Sequence, residues 1–300
     1  MNAIIFPGQG SQSQGMGKNL YDNFAPAREI FSCIDKYAGF NVSGMCFEGK
    51  PEDLKKTYLQ QMAILSVSLV CFELFRTKNI KIDFLSGLSL GEYACLYPAE
   101  VLSLKDLVHL VKERATAMEE ASKVNPSCMF AVIGLEQKIL QDLSKSGDFF
   151  VANINSSQQI AISLSRENKQ KVKETLESKG ARVIELDVGG GFHSEFMQPA
   201  KKHLEKVLQA MQFNDAKIPI VSNFTARPAT NATEIKKNLL EQLTSTVLWK
   251  DCVEFMSKNA VDTFFEVGPS KVLRGLIRKI NPSLKVVNIE KKEDLDSVSA

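Results

Sequence analysis

Gly87, Ser89 and Gly91 form a Gly-x-Ser-x-Gly pattern, the spacing in which a serine hydroxyl can serve as a nucleophile on a sharp turn. Residues 82–86 before it are apolar enough for a buried strand, and residues 92–96 after it are compatible with a helix. The two glycines relieve the crowding in such a strand-to-helix turn and let the Ser89 hydroxyl protrude at the sheet edge. The pattern also occurs by chance, so alone it leaves open whether Ser89 is catalytic.

Three histidines are available to activate this serine. His109 lies within a predicted helix, and His203 lies among lysines on another, where we expect it to be solvated. His193 follows the glycine-rich residues 189–192, at the junction between a strand and a helix. Because a helix N-terminus disfavours the imidazolium, we expect a neutral His193 ring that accepts the Ser89 proton. The alternative is that His193 only closes a loop. No acid evidently completes a triad, so a backbone or amide carbonyl could orient the ring instead.

A glycine loop over residues 6–12 follows the first predicted strand. A dinucleotide fingerprint that starts at Gly8 would need a glycine in place of Ser13, and a P-loop that ends at Lys18 would need one in place of Gln12. The spacing therefore excludes both phosphate-binding motifs. The backbone N–H groups of the loop could instead stabilise an oxyanion beside the nucleophile. The alternative is a plain strand-to-helix turn.

Arg114 is a cation on the apolar side of a predicted helix. That helix begins at Ser103, and its apolar residues recur at i, i+3, i+4 and i+7; Arg114 lies on the same stripe, three residues beyond Val111. A buried guanidinium needs an anion, because burying the charge alone is costly. Its partner is either a protein carboxylate or a substrate carboxylate that is bound bidentately.

A basic face is predicted on the helix that begins near Ser270. Lys271, Arg274 and Arg278 recur at helical spacing, and Lys279 lies beside them. A solvated face and a docking site for an acidic partner both explain this arrangement.

Strand-like and helix-like runs alternate along the chain, which predicts an α/β fold with a largely parallel sheet. Residues 127–190 differ, because their predicted elements follow the ferredoxin-like order β-α-β-β-α-β. The strands are predicted at 128–133, 149–154, 159–164 and 182–188, and the helices at 136–144 and 168–179. We therefore predict a small ferredoxin-like subdomain at 127–190, inserted into a large hydrolase-like subdomain made of 1–126 and 191–300. The cleft between such units is a common place for a ligand.

Other parts of the large subdomain carry simpler signals. We predict one continuous helix over residues 194–211, a strand at 264–268 and a last strand at 286–289. The tail from Glu290 is charged, and we expect it to be frayed.

Composition excludes several classes of protein. A net charge of +2 argues against a nucleic-acid binder. The longest apolar stretch, residues 62–75, is too short and too interrupted to cross a bilayer and predicts a buried helix. The N-terminus is typical of a first strand rather than a signal peptide. The six cysteines show no metal-ligand spacing, so we expect free thiols, a cytoplasmic location and no metal.

Seven motifs in order, over nearly the whole chain, resemble the malonyl-CoA:acyl carrier protein transacylase family. They are Pro-Gly-Gln-Gly-Ser-Gln at 7–12, Gly-His-Ser-x-Gly-Glu at 87–92 with Leu88 in place of the histidine, Val-x-x-Arg…Met at Val111, Arg114 and Met118, Ala-Asn-x-Asn at 152–155, Gly-x-Phe-His-Ser at 190–194, Gln-Leu…Val-x-Trp at Gln242, Leu243, Val247 and Trp249, and Glu-x-Gly-Pro-x-x-Val-Leu at 266–273.

The resemblance implies a fold and a set of roles. The fold is a hydrolase-like α/β core with an inserted ferredoxin-like domain. The implied roles are Ser89 as nucleophile, His193 as base, the Gln242 carbonyl as the group that orients His193, the Gln9 and Leu90 N–H groups as oxyanion donors, Arg114 as the clamp on the malonyl carboxylate, and Phe192 and Asn155 as substrate-binding residues. Phe192 resembles the malonyl-selective version of its motif.

The implied reaction transfers malonyl from malonyl-CoA, through a malonyl-serine ester, to the phosphopantetheine thiol of an acyl carrier protein or of a polyketide synthase carrier domain. The CoA thioester is a substrate, and no cofactor is expected. A monomer is typical of the family. Leu88, the Met62-Ala63 pair and residues 97–100 depart from the usual motifs. These departures favour a discrete transacylase that serves a trans-acting polyketide synthase over the housekeeping enzyme of fatty-acid synthesis.

Three other functions remain as alternatives. A serine acyl hydrolase of the same architecture would clear acyl groups from carrier proteins, but its relatives tend to lack the arginine. A non-catalytic docking module would not need Ser89, His193 and Arg114 together. A lipase-type hydrolase gives no reason for an inward arginine.

Overall fold

The computed structural model describes residues 1–298, which form two β-sheets surrounded by helices. The strands are β1 Asn2–Phe6, β2 Phe84–Gly87, β3 Ser127–Ile133, β4 Phe150–Ser156, β5 Gln159–Ser165, β6 Arg182–Glu185, β7 Ile220–Val221, β8 Pro228–Ala229, β9 Thr263–Val267 and β10 Lys285–Ile289. The larger sheet has the order β10-β9-β1-β2-β7-β8 and is parallel except between β7 and β8. Its central strand, β1, is apolar and buried from Ala3 to Phe6, as expected for a sheet that is covered on both faces.

The helices cover the large sheet and one side of the small one. They are α1 Lys18–Asn23, α2 Ala25–Ala38, α3 Val42–Glu48, α4 Thr57–Phe75, α5 Leu90–Ala94, α6 Leu104–Val124, α7 Gln137–Ser144, α8 Lys169–Glu177, α9 Gln198–Ala210, α10 Ala232–Gln242, α11 Trp249–Lys258, α12 Val272–Ile280 and α13 Lys292–Asp296. Single 3₁₀ turns are found at Asp53–Lys55, Arg76–Lys78 and Glu195–Met197.

Helix α4 is the buried helix that the apolar stretch predicts. With the turn that follows it, the segment Thr57–Lys78 is long and apolar enough to cross a membrane. However, 83% of its most apolar window is buried inside the protein, where α4 packs against α2, α3 and α6. Its apolar surface is therefore used by the core.

The pairing of β1 with β2 determines where the candidate site forms. Phe6 is the register partner of Gly87, so both strands end at the same level of the sheet. The glycine loop after β1 and the serine turn after β2 therefore leave the same sheet edge side by side, which is where ligands bind in open parallel sheets.

Strands β3 to β6, with α7 and α8, form a second unit with its own apolar core. The sheet is antiparallel with the order β4-β5-β3-β6, and the chain order of its elements is β-α-β-β-α-β. The prediction of an α/β fold with a ferredoxin-like insertion is thus confirmed. The limits of the two subdomains, 1–126 with 191–300 and 127–190, stay a prediction, because sheet membership alone does not set a domain boundary.

Two local predictions are wrong. The predicted helix over 194–211 is a 3₁₀ turn followed by α9, which begins at Gln198 with Pro199 in its first turn, where proline is tolerated. The tail from Glu290 is not frayed up to residue 298: α13 forms, and Leu295 and Val298 are buried against the core. Apolar residues spaced within a charged segment anchor it. Residues 299–300 of this tail lie outside the described residues.

Candidate active site

Ser89 lies between β2 and α5, in the strand–turn–helix geometry that its motif predicts. Its backbone is strained, with φ 55° and ψ −101°, conformations that L-residues rarely adopt. Glycine is required on both sides of it. A Cβ at Gly87 would lie 2.2 Å from the Gly91 carbonyl carbon, and a Cβ at Gly91 would lie 2.0 Å from the Phe6 oxygen.

Ser89 and His193 form a hydrogen-bonded pair. Ser89 Oγ lies 2.7 Å from His193 Nε2, and His193 Nδ1 lies 2.8 Å from the backbone oxygen of Gln242. A carbonyl oxygen only accepts, so Nδ1 carries the proton and Nε2 is left as the acceptor for the serine proton. This is the arrangement of a nucleophile and a general base in which a carbonyl takes the place of the acid.

Burial keeps the histidine neutral. His193 is 4% exposed, and its pKa is lowered to about 4, mainly by burial and in smaller part by the Arg114 charge, while the Gln242 carbonyl opposes the shift. The expected cause, a helix N-terminus, is wrong in detail, because a 3₁₀ turn rather than α9 follows His193. Desolvation produces the neutral ring instead.

Arg114 points inward from α6 and is fully buried. Its Nη1 donates to Gln61 Oε1 at 2.6 Å, and its Nη2 donates to Ser89 Oγ at 3.1 Å and to Gln242 Oε1 at 3.3 Å. The guanidinium carbon lies 4.6 Å from the centre of the Tyr93 ring.

No carboxylate among residues 1–298 forms an ion pair with Arg114, so the alternative of an internal carboxylate partner is wrong. Its Nε is also buried and has no partner within that range. A buried cation whose hydrogen-bond partners are uncharged, next to a nucleophile, is electrostatically prepared for an anionic ligand.

The Gln9 and Leu90 N–H groups, which are the predicted oxyanion donors, lie in the loop after β1 and at the start of α5. Leu90 is the first residue of α5, so its N–H has no acceptor within the helix. Within the described part of the chain, neither N–H donates to another protein group. The Gln9 side chain is held by Gln60 and Gln61 on α4.

Sequence reasoning missed Asn223, which clamps the serine turn. Its Oδ1 accepts from the Ser89 N–H at 2.7 Å, and its Nδ2 donates to the Gly87 oxygen at 2.8 Å. Glu92 accepts from the Asn223 N–H at 3.0 Å. The one available signal was a polar pair, Ser222 and Asn223, directly after the short apolar strand β7.

Gln61 is a second residue that sequence reasoning missed. It joins Arg114 on one side to the Gln9 side chain on the other. Its only signal was a polar side chain within the apolar residues of α4, where every neighbour from Gln60 to Cys71 is buried.

Phe192, Asn155 and Leu88, which the sequence analysis also identified, differ from one another in their contacts and burial. Phe192 is buried beside His193, and its carbonyl accepts from Ser163 Oγ at 2.5 Å. Asn155 makes no hydrogen bond to Ser89, His193 or Arg114, and its Oδ1 is unpaired among the atoms described. Leu88 is half-buried against apolar side chains of the core, an environment that suits leucine.

The basic face on α12 is smaller than predicted. Lys271, Arg278 and Lys279 are exposed, but Arg274 is half-buried and its Nη1 donates to Asn288 Oδ1 at 3.3 Å. Burial next to β10 therefore removes Arg274 from the face. Lys279 donates to Gln159 at 2.9 Å and so lies near the four-stranded unit.

A cleft opens next to the base, between the four-stranded unit and two loop segments of the rest of the chain. Its volume is about 420 Å³, and it is lined by Gln141, Ser144, Phe149, Phe150 and Val151 on one side and by His193, Ser194, Thr244, Ser245 and Thr246 on the other. Val247 bonds to Ala152 and Ile154 and ties β4 to the core beside the cleft. Residues 1–298 contain no group of three His, Cys, Asp or Glu side chains that could hold a metal.

Comparisons with known proteins agree over almost the whole chain. The acyl transferase domain family matches residues 3–294. The malonyl CoA-acyl carrier protein transacylase of Bacillus subtilis (strain 168) is 38% identical over 300 residues, which cover 98% of this chain and 95% of that protein. The protein of the same name from Staphylococcus aureus (strain MW2) is 37% identical over 299 residues, covering 98% and 96%.

Solved structures are similar as well. The acyl-carrier-protein-S-malonyltransferase of Bartonella henselae superposes with a TM-score of 0.95 at 33% identity, covering 99% of this chain and 97% of that one. A malonyl-transacylase solved in complex with a type II PKS acyl-carrier protein superposes with a TM-score of 0.95 at 29% identity, covering 99% and 98%.

Proposed function

This chain belongs to the acyl transferase domain family, and from that premise we propose that it transfers malonyl from malonyl-CoA to an acyl carrier protein through an ester on Ser89. One observation carries the proposal. The Ser89–His193 pair shares its hydroxyl with Arg114, a buried cation that has no carboxylate partner in the described range. Nucleophile, base and anion-binding group thus meet at one atom.

In the first half-reaction, Ser89 Oγ attacks the thioester carbon and its proton passes to His193 Nε2. The N–H groups of Leu90 and Gln9 stabilise the oxyanion, and losing one such donor typically costs about 10²–10³ in rate. The tetrahedral intermediate expels the CoA sulfur, which takes the proton back from His193. The product is a malonyl-serine ester and free CoA.

The second half-reaction reverses these roles with another thiol. The phosphopantetheine thiol of the carrier protein gives its proton to His193 and attacks the ester carbon. The Ser89 oxygen leaves and is protonated by His193. We propose that neither half-reaction needs a cofactor.

Arg114 provides the acyl-group selectivity. The malonyl carboxylate would accept hydrogen bonds from the N–H groups of the guanidinium that remain available. A hydrogen bond to a charged group contributes roughly 1.5–3 kcal/mol. That corresponds to a preference of about 10- to 150-fold for malonyl over acetyl. Phe192 and Asn155 stay proposed as substrate-binding residues, Phe192 because it precedes the base and Asn155 because its Oδ1 is unpaired among the described residues.

The proposal also covers how the carrier protein docks and where the enzyme acts. The exposed cations of α12 would dock the carrier protein, and Lys271, Arg278 and Lys279 are the residues available for it. A cytoplasmic location fits six free cysteines and an apolar helix that is buried in the core. The departures from the family motifs at residues 62–63, 88 and 97–100 support the proposal that the chain serves a polyketide synthase. We also propose that the protein is a monomer.

Intact-protein mass spectrometry after incubation with malonyl-CoA tests the nucleophile. We expect a malonyl adduct on the wild-type chain, none on Ser89→Ala, and an undiminished adduct on Ser157→Ala, which replaces an exposed serine. Adding a holo acyl carrier protein should move the malonyl group to the carrier. Release of free malonate without carrier acylation would favour the acyl hydrolase, and a full adduct on Ser89→Ala would place the nucleophile elsewhere.

A further inference from the structure

Glu92 is a buried carboxyl group that none of the steps above uses. It lies on α5, three residues after Ser89, and is 2% exposed. Burial raises its pKa to about 7, and the hydrogen bonds from Asn223 and Gln242 oppose that shift. A carboxyl group buried at such expense beside a nucleophile calls for a physical reason.

The hydrogen bonds that Glu92 accepts from Asn223 and Gln242 converge on one oxygen. Oε2 accepts from the Asn223 N–H at 3.0 Å and from Gln242 Nε2 at 2.6 Å. Because both donors use Oε2, the oxygen stays an acceptor even when the carboxyl group carries its proton on Oε1. The arrangement therefore holds in both protonation states.

The surroundings of Gln242 Nε2 contain acceptors alone. Besides Glu92 Oε2, they are the Ser89 backbone oxygen at 3.1 Å and Asn223 Oδ1 at 3.4 Å. Asn223 Oδ1 is itself identified as the oxygen because it accepts from the Ser89 N–H. The amide nitrogen of Gln242 must therefore occupy this side, and its Oε1 must face the other.

That other side is Arg114. Gln242 Oε1 accepts from Arg114 Nη2 at 3.3 Å. A flipped amide would direct its NH₂ group at the guanidinium and repel it. The shortest contact on the nitrogen side is the one to Glu92, so Glu92 contributes most to the choice between the two amide orientations.

We propose that Glu92 is a positioning residue: it orients the Gln242 amide so that Gln242 Oε1 holds the Arg114 guanidinium in place for the malonyl carboxylate. The inference rests on the proposed function. Glu92 acts on acyl-group selectivity through Gln242 and touches neither the substrate nor the Ser89 hydroxyl. The Gln242 backbone oxygen, which orients His193, is unaffected by a change of the side-chain amide.

The test compares rates of malonyl and acetyl transfer from the two CoA thioesters to Ser89. Glu92→Leu removes the acceptor oxygen, and we expect the malonyl-to-acetyl ratio to fall about five- to tenfold, the effect of one hydrogen bond. Glu92→Gln can keep an oxygen at the Oε2 position, so it should restore most of the ratio. Arg114→Ala defines the full loss of the malonyl-to-acetyl ratio. Glu266→Leu removes another buried carboxyl group, whose hydrogen bonds are to Leu273, Arg274 and Asn288 rather than to the site, and it should keep the wild-type ratio.

A double-mutant cycle shows whether Glu92 acts through Gln242. Gln242→Leu keeps the backbone oxygen and loses Oε1, so by itself it should lower the ratio and spare acetyl transfer. Combining it with Glu92→Leu should lower the ratio little further, because Glu92 affects the ratio only through its contact with Gln242, which the single variant already breaks. Additive losses, or a wild-type ratio in Glu92→Leu, would overturn the inference.

If Glu92→Leu does not fold, as judged by circular dichroism, Glu92→Met takes its place, because a thioether is only a weak hydrogen-bond acceptor. An unchanged malonyl-to-acetyl ratio in Glu92→Met refutes the inference, and a lowered one supports it. A wild-type chain that forms no malonyl adduct would refute the proposed function, and the inference with it.

Discussion

At the scale of single residues, the site works without an acid on its histidine. In a Ser-His-Asp triad the carboxylate stabilises the imidazolium and favours the charged ring. Here the Gln242 carbonyl fixes the tautomer of His193 but carries no charge, and Arg114 opposes protonation. Burial therefore controls the pKa of the base. The Arg114 cation, which we propose binds the anionic acyl group, adds to the lowering of the His193 pKa by burial.

This arrangement predicts an unusual pH dependence for acylation. The pKa of His193 is lowered to about 4, so the ring stays a competent base well below the usual histidine range. In single-turnover measurements with malonyl-CoA, the rate of ester formation on Ser89 should stay level from pH 7 to about 5 and fall by half near pH 4. His203→Gln, which changes an exposed histidine, should give the same curve. Half-loss near pH 6.5 would contradict the assigned environment of His193.

The residues that sequence could identify are those whose chemistry is scarce. Three histidines and one inward arginine left few ways to build a nucleophilic site, and Ser89, His193 and Arg114 do share hydrogen bonds. Asn223 and the role of Glu92 could not be predicted in this way. Their contact joins residues that are 131 positions apart, and amide and carboxyl side chains are too common to stand out.

At the scale of elements, the local sequence pattern was sufficient to predict helices and strands that bury one of their own faces. The ferredoxin-like unit is made of short strands and helices that follow one another in the chain, and their order was predicted correctly. The α12 face was overestimated because helical spacing says which residues share a face but not what packs beside it. Arg274 lies next to Asn288 of β10, and that neighbour is fixed by the tertiary fold.

The remaining cations of α12 lead to a prediction about the carrier protein. If they dock an acidic partner, Arg278→Glu should raise the KM for a holo acyl carrier protein roughly two- to fivefold, as expected for one exposed charge pair. Formation of the malonyl ester from malonyl-CoA should not change, because α12 does not contact Ser89.

Its control is Lys105→Glu, which reverses an exposed lysine on α6 and should leave both steps unchanged. Added salt should reduce the difference between wild type and Arg278→Glu, because exposed charges are screened. A KM for the carrier protein that is insensitive to Arg278→Glu and to salt would rule out this face as the docking site.

At the scale of the whole molecule, three buried ionisable groups connect the site and the fold to pH. Burial raises the pKa values of Glu92 and Glu266 to about 7 and lowers that of His193 to about 4. Glu266 accepts from the Leu273 and Arg274 N–H groups, both at 2.8 Å, and so holds the first turn of α12. None of these burials was evident from sequence, since burial depends on elements that are distant along the chain.

The signs of these shifts predict how stability changes with pH. Between pH 4.5 and 7 the folded chain binds more protons at each glutamate than the unfolded chain, so their contribution to the free energy of unfolding falls as pH rises through 7. His193 acts oppositely between pH 4 and 6.5, where the unfolded chain holds the proton. Above pH 6.5, of these three groups only the two glutamates still change the free energy of unfolding with pH. Wild-type stability should therefore decline from pH 6.5 to 8.

Glu266→Gln isolates one of these contributions. The neutral amide cannot ionise, so the variant should lose less stability than the wild type between pH 5 and 8, by up to ~3 kcal/mol for a fully shifted group. Urea unfolding followed by circular dichroism at pH 5, 6, 7 and 8 measures the difference. Glu120→Gln replaces an exposed glutamate and should track the wild-type curve at every pH. If Glu266→Gln declines as steeply as the wild type, the Glu266 carboxyl group does not titrate in the folded chain near neutral pH. The pH dependence of stability would then have to come from Glu92, next to the nucleophile.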